Sequence, residues 1–262
     1  MNPNPFNILK NSRGLIPFFV LGDPAFEESL FLIKTAIDAG ADALELGLPF
    51  SDPIADGPII QRANERALKH MNFAKAEELI REIRAYSDIP INLLSYANPL
   101  YRLGYESAIQ RLKNCGIHGL LVADVPLEES RELTALLEKY DLKQSFLIAP
   151  NTEASRAVMI HQQSTAFTYC VNRLGTTGMN NGVSSEIMLL LTHLNHVAPE
   201  TPRAVGFGIH TPAQAQQLFS AGADAVIVGS QIIAFIEAEK DQTKRLLAIE
   251  NYIKEFKREI HS

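Results

Sequence analysis

Two nine-residue strings, AGADALELG at 39–47 and AGADAVIVG at 221–229, are nearly the same although they stand far apart in the chain. CGIHGLLVA at 115–123 follows the same plan. Together they form a weak internal repeat. Each reads as a helix end, a glycine suited to the left-handed cap, a short link and then a buried strand. Strand-like runs recur near 16–21, 43–47, 91–95, 119–123, 144–148, 166–171, 203–207 and 224–228, and helical patterns lie between them.

Those helical patterns are amphipathic. Leu30, Ile33 and Ile37 share a face, as do Leu79, Ile83 and Tyr86, then Leu133, Leu136 and Tyr140, then Ile187, Leu190 and Leu194. Leu246, Ile249, Ile253, Phe256 and Ile260 form a closing helix with steps of three and four. Eight strands alternating with helices in 262 residues imply an α/β chain whose parallel sheet closes into a (β/α)8 TIM barrel, with extra short helices. An open doubly wound sheet is the alternative, but it usually carries GxGxxG after its first strand, and FVLGDP at 19–24 is not that motif. No Gly/Ser-rich or Pro-rich linker divides the chain, so residues 1–262 are expected to form one barrel domain.

A hydrophobic content of 46% with 21% charged residues fits an ordinary globular protein with a sizeable core. The net charge of −6 gives no electrostatic reason to expect nucleic acid or an anionic membrane as partner. The opening MNPNPFNILKNSRG lacks a basic-then-apolar signal pattern, and the apolar stretch at 15–21 is far too short to span a bilayer. Cys115 and Cys170 belong to no CxxC and read as buried thiols in a reducing compartment, which makes the cytoplasm the expected location.

The chemistry concentrates in ELGLPFSDPIADGP at 45–58. Side chains alternate along the strand near 43–47, so Glu45 shares a face with Ala43 and Gly47 while Leu44 and Leu46 face the outer helices. Glu45 is therefore expected to point into the barrel near its C-terminal mouth, where active sites of this fold sit. A carboxyl there should have a raised pKa, which lets it donate and accept protons near neutral pH. Pro49, Pro53 and Pro58 stiffen the loop, and the turn dipeptide Asp56-Gly57 can hold a second carboxylate over the mouth. Asp52 precedes a proline and reads as a local turn or cap residue.

Three glycine-bearing segments fall at strand ends: NRLGTTGMNNG at 172–182, GFG at 206–208 with Phe207 at its centre, and Gly229-Ser230 opening SQIIAFIEAE. Loops after strands seven and eight, with the start of an extra helix, form the usual phosphate site of such barrels, and backbone N–H groups suffice to bind the anion. Strand six, AFTYCV, has no lysine for a Schiff base. The histidines show no metal spacing, and His193 and His196 read as surface or packing residues of a helix. Any carbon–carbon cleavage here must draw its electron sink from the substrate.

LELGLPFSDPIADGP, with PFFVLGDP (17–24), YANPL (96–100), VADVP (122–126), NRLGTTG, GFGI (206–209) and VGS (228–230), resembles the tryptophan synthase α chain family, in the family's order and over nearly the full length. The resemblance implies an enzyme that splits indole-3-glycerol phosphate into indole and glyceraldehyde 3-phosphate by acid–base retro-aldol chemistry, with Glu45 and Asp56 on the catalytic positions. It places Phe18, Leu94, Leu121, Tyr169 and Thr177 on indole-pocket or mobile-loop positions, and Gly178, Gly208, Gly229 and Ser230 on phosphate-binding positions, with Phe207 among the substrate-binding residues. It implies no cofactor or metal in this chain. Asn98, Pro99 and Pro126 fall on loops through which the family contacts a pyridoxal-phosphate β chain in an α2β2 assembly. Asn172, Thr176, Val20 and the MNNG run at 179–182 depart from the family's common residues. The alternatives are a stand-alone lyase for the same substrate, another phosphate-binding barrel isomerase, and a module that only activates a β chain.

Overall fold

The computed structural model describes residues 3–172, 182–197 and 200–262. Its strands are β1 (Gly14–Val20), β2 (Leu44–Gly47), β3 (Ile91–Ser95), β4 (Gly119–Val122), β5 (Lys143–Gln144), β6 (Phe146–Ile148), β7 (Thr168–Val171), β8 (Arg203–Gly206) and β9 (Ala225–Val228). They form one sheet in the order β5-β4-β3-β2-β1-β9-β8-β7-β6, and every described pairing is parallel. β5 and β6 are two halves of one stave, broken at Ser145, so the two ends of the order meet along the chain. The N–H groups of Thr165 and Ala166 donate to the Gln144 carbonyl at 2.8 and 2.9 Å and draw the approach to β7 against β5. The sheet is thus a nearly closed (β/α)8 barrel. The fifth expected strand differs from expectation only in this break.

The repeat behaves as its glycines require. Gly40, Gly116 and Gly222 have φ of 105°, 99° and 103°, a region open to glycine and strained for other residues, and each turns a helix end toward the next strand. β1 is buried along its whole length, as strands covered on both faces must be. Aligned residues of parallel neighbours share a face, so the register Phe18↔Glu45, Glu45↔Asn92, Asn92↔Gly119 sets one inward row, and Leu94↔Leu121 belongs to the next.

The helical stripes pack as the spacing predicts, with one exception. Ile33, Leu79, Ile83, Leu133, Ile187, Leu190, Leu194, Ile249, Ile253, Phe256 and Ile260 are buried. Tyr86, the last residue of the helix Phe73–Tyr86, is instead exposed. Its hydroxyl donates to Asp38 at 2.6 Å and its ring lies under Lys34, so the phenol bridges two helices from outside. Cys115 and Cys170 are free, buried thiols whose burial pushes them up to about 11 and about 12. His193 and His196 lie exposed on the helix Ser185–Val197. Among the described residues no helix is long and apolar enough to cross a membrane.

The N-terminal ends of the strands are tied by charge. Asp42 and Asp224, at matching positions of the repeat, accept N–H groups from the neighbouring strand: Leu15 at 2.7 Å and Arg203 at 2.9 Å. A short 3-10 helix, Pro5–Leu9, closes this end with Phe6 and Leu9 fully buried, and Phe6 meets Phe167 edge-on at 5.4 Å.

Candidate active site

Glu45 sits on β2 one register step from Phe18 on β1 and Asn92 on β3, pointing into the barrel with no solvent exposure. Its Oε1 accepts from Asn92 Nδ2 at 3.3 Å, and its Oε2 has no hydrogen-bond partner among the described residues. Burial is the main cause that raises its pKa, to about 8; the nearby charge of Asp56 adds to the rise, while the Asn92 and Tyr169 side chains oppose it.

Asp56 reaches the same space from the loop after β2. The loop is folded on itself, with Asp56 N–H donating to the Pro53 carbonyl at 2.9 Å and Gln61 Nε2 donating to the Asp56 carbonyl at 2.9 Å. Tyr96 latches it: its hydroxyl donates to Asp56 Oδ2 at 3.1 Å and accepts the Ala55 N–H at 3.1 Å. Phe50 stacks at a tilt on the same phenol, 5.2 Å away. Asp56 is buried, which lifts its pKa to about 6 against the pull of the Tyr96 bond. Asp52 is exposed and accepts from Ser51 Oγ, as a turn residue would.

The helix Pro58–Leu68 leaves directly after Asp56-Gly57 and is clamped from its far side. Arg66 binds both oxygens of the buried Asp23 at 2.7 and 2.9 Å. Arg62 and Arg66 also bind Glu237 of the helix Ser230–Ala238. One ion network therefore joins the β1 loop, the helix behind Asp56 and the helix that opens at Ser230.

Between these elements lies a cavity that opens to solvent. Glu45 and Asp56 face it, with Phe18, Leu94, Tyr169 and Phe207 among its walls and Gly208, Gly229 and Ser230 at its rim. Glycines make room for its aromatic rings. A Cβ at Gly47 would lie 2.9 Å from the Phe18 ring, and one at Gly206 would lie 2.2 Å from the Tyr169 hydroxyl. Gly206 thus serves Tyr169, whereas Gly208, at φ 82° with open space beside it, faces the rim. Phe207 also has positive φ, 66°, an unfavourable region for a non-glycine residue, and packs edge-on against Tyr169 at 5.9 Å. Gly229 caps the helix Ser230–Ala238 with no side-chain hydrogen bond, so the first N–H groups of that helix have no side-chain cap.

Of the residues singled out in the sequence, Phe18, Glu45, Asp56, Leu94, Tyr169, Phe207, Gly208, Gly229 and Ser230 meet at this cavity. Leu121 is buried on β4 but does not line it; its register partner Leu94 does. Thr177 and Gly178, with Thr176 and Met179, lie outside the described residues. Asn98 and Pro99 line a second hollow beside the proline loop, with Pro49, Phe50 and Arg102. Tyr96, Asn92 and the Arg66–Asp23 clamp escaped the sequence reading; the one signal for Asn92 is that it has the inward parity of Leu94 two residues on.

A (β/α)8 barrel with two buried acids at the C-terminal end of its strands, beside an open helix start, falls in the class of barrel enzymes that work by proton transfer. The sequence pattern of the tryptophan synthase alpha chain matches residues 7–261. The chain is 42% identical to the tryptophan synthase alpha chain of Methanosarcina barkeri over 246 residues, covering 94% of this chain and 92% of that protein. It is 40% identical to the one from Lactiplantibacillus plantarum, covering 90% and 89%. Among solved structures, a chain of the tryptophan synthase α2β2 complex of Pyrococcus furiosus superposes with a TM-score of 0.87 at 34% identity, covering 95% of this chain and 99% of that one. This chain belongs to the tryptophan synthase alpha chain family, the enzyme subunits that catalyse the α reaction of tryptophan biosynthesis.

Proposed function

We propose that Glu45 moves the protons and Asp56 balances the charge as this chain cleaves indole-3-glycerol phosphate into indole and glyceraldehyde 3-phosphate. The observation that carries this reading is the pair of buried acids facing one cavity with no cation among the described residues hydrogen-bonded to either. At neutral pH Glu45 holds its proton, with a pKa near 8, and Asp56 has lost its own, with a pKa near 6. Glu45 gives its proton to indole C3, and Asp56 stabilises the positive charge that develops at the ring N–H. The indolenine so formed is the electron sink. Glu45, now a carboxylate, takes the proton of the glycerol C3′ hydroxyl. The C3–C3′ bond breaks, its electron pair returns to the ring, and the aldehyde leaves.

Phe18, Leu94, Tyr169 and Phe207 suit a flat aromatic ring, and Leu121 supports them from the next stave. The N–H groups at the start of the helix Ser230–Ala238, with Gly208 and Gly229, suit the phosphate without a lysine. By their place in the sequence after β7, Thr177 and Gly178 complete the same assignment. No step asks a cofactor or metal of this chain; pyridoxal phosphate is assigned to a β chain, the recipient of indole, in an α2β2 assembly. Asn98 and Pro99, in the hollow beside the Asp56 loop, and Pro126 suit that contact. The chain is read as one barrel domain working in the cytoplasm.

Glu45→Gln is expected to abolish indole release while leaving activation of the β chain in place; substantial release by that variant would overturn the assignment. Turnover measured with and without a β chain tests the partner: strong stimulation supports the complex, and fast turnover alone opposes it.

A further inference from the structure

We propose that Asn92 is a positioning residue of this site: its amide grips one oxygen of Glu45, leaves the other free for the substrate, and holds the carboxyl's proton affinity low enough for it to serve as a base after it has served as an acid. This rests on the reading of Glu45 as the proton carrier. Asn92 is fully buried on β3 in direct register with Glu45, where an aliphatic residue would fill the barrel at no polar cost. Its Nδ2 donates to Glu45 Oε1 at 3.3 Å, while its own Oδ1 and Glu45 Oε2 have no hydrogen-bond partner among the described residues. An amide with an unused buried carbonyl is a poor packing element. It is well suited to hold a carboxylate.

The neighbouring stave makes room for this amide. A Cβ at Gly119 on β4 would stand 2.7 Å from Asn92 Oδ1 and 2.9 Å from the Phe6 ring, so only glycine leaves the amide in its present orientation. Around Glu45, Asn92 reaches in from β3, Asp56 from the loop after β2, Tyr169 from β7 and the apolar Phe18 from β1. Burial and the Asp56 charge favour the protonated acid; the Asn92 N–H and the Tyr169 hydroxyl favour the carboxylate. Asn92 is the larger of those two counterweights. Without it Glu45 keeps its proton more tightly and becomes a weaker base for the C3′ hydroxyl.

The test is the pH dependence of kcat/KM for indole release by Asn92→Leu and by the isosteric Asn92→Asp, which keeps the measurement available if the leucine variant fails to fold. The alkaline limb, set by loss of the Glu45 proton, is expected to move up by about one pH unit in both, a tenfold rise in proton affinity. In the leucine variant the acidic limb stays in place. KM is expected to stay unchanged while kcat falls several-fold, because Asn92 does not line the cavity. Gly119→Ala, which displaces the amide, is expected to shift the limb in the same direction. Unmoved alkaline limbs in both Asn92 variants, with Glu45→Gln inactive, would overturn this proposal and leave the role of Glu45 standing. Turnover by Glu45→Gln would overturn both.

Discussion

The N-terminal end of the barrel and the cavity at its mouth handle acids in opposite ways. At the N-terminal end Asp224 accepts the backbone N–H and Nε of Arg203, both at 2.9 Å, and the N–H of Asn11 at 3.0 Å. Arg203 in turn donates to Asn195 Oδ1 at 2.7 Å. Asp42 has Lys257 at 2.7 Å as well as the Leu15 N–H. At the cavity, among the described residues, Glu45 accepts from one amide at 3.3 Å with the Tyr169 hydroxyl nearby, and Asp56 accepts from one phenol at 3.1 Å. Asp42 and Glu45 stand three residues apart, yet one acid is matched by a cation and the other is faced by a second acid. Matched charges hold the staves in register; unmatched ones keep a high affinity for protons.

The largest effect expected from breaking this contrast is at the mouth. Glu45→Gln should lower kcat/KM for indole release by at least about 10³-fold, within the range general acid–base groups supply, while the protein stays folded by circular dichroism. Second, Arg203→Met should leave Asp224 buried without its partner and remove about 3–5 kcal/mol of stability in urea unfolding, without altering the pH profile of catalysis.

The third expectation concerns stability against pH. Glu45 and Asp56 have folded pKa values near 8 and 6, above their ordinary 4.5 and 3.8, so the folded state binds more protons than the unfolded one in that window. Their contribution therefore falls as pH rises from about 4 to about 8, by up to roughly 1.4 kcal/mol per pH unit for each proton. Glu45→Gln should flatten this slope and be more stable than the unmodified protein at pH 8. A slope unchanged by the substitution would refute the raised pKa. The smallest effect should come from Tyr96→Phe. Loss of the phenol removes the bond that lowers Asp56, so the acidic limb of kcat/KM should move up by about one unit or less.

Much of this is legible in the sequence. The repeat, its glycine caps and the eight apolar runs led to the barrel, and side-chain parity on a four-residue strand turned Glu45 inward. What stayed hidden has a common physical cause. Ser145 stands between Gln144 and the apolar Phe146–Ile148 inside one expected strand, and only closure of the sheet shows that the stave breaks there. Tyr86 obeys helical spacing but sits on the last residue, where the neighbouring helix offers Asp38 and Lys34 and no core. Tyr96, Asn92 and Arg66 act on groups 40, 47 and 43 residues away in sequence, so their roles exist only as tertiary contacts. The three GFG and VGS glycines look alike in one dimension. In space Gly206 makes way for a phenol and Gly208 and Gly229 border the cavity.

The 3-10 turn at the start of the chain has a consequence for acid strength. Phe6 stops the floor of the barrel directly against the Gly119 position, where the Asn92 amide also rests. Phe6 and the Asn92 amide thus pack between that end and Glu45, which has no solvent exposure. The acidity of Glu45 is in that sense set in part by packing fitted at the opposite pole of the molecule.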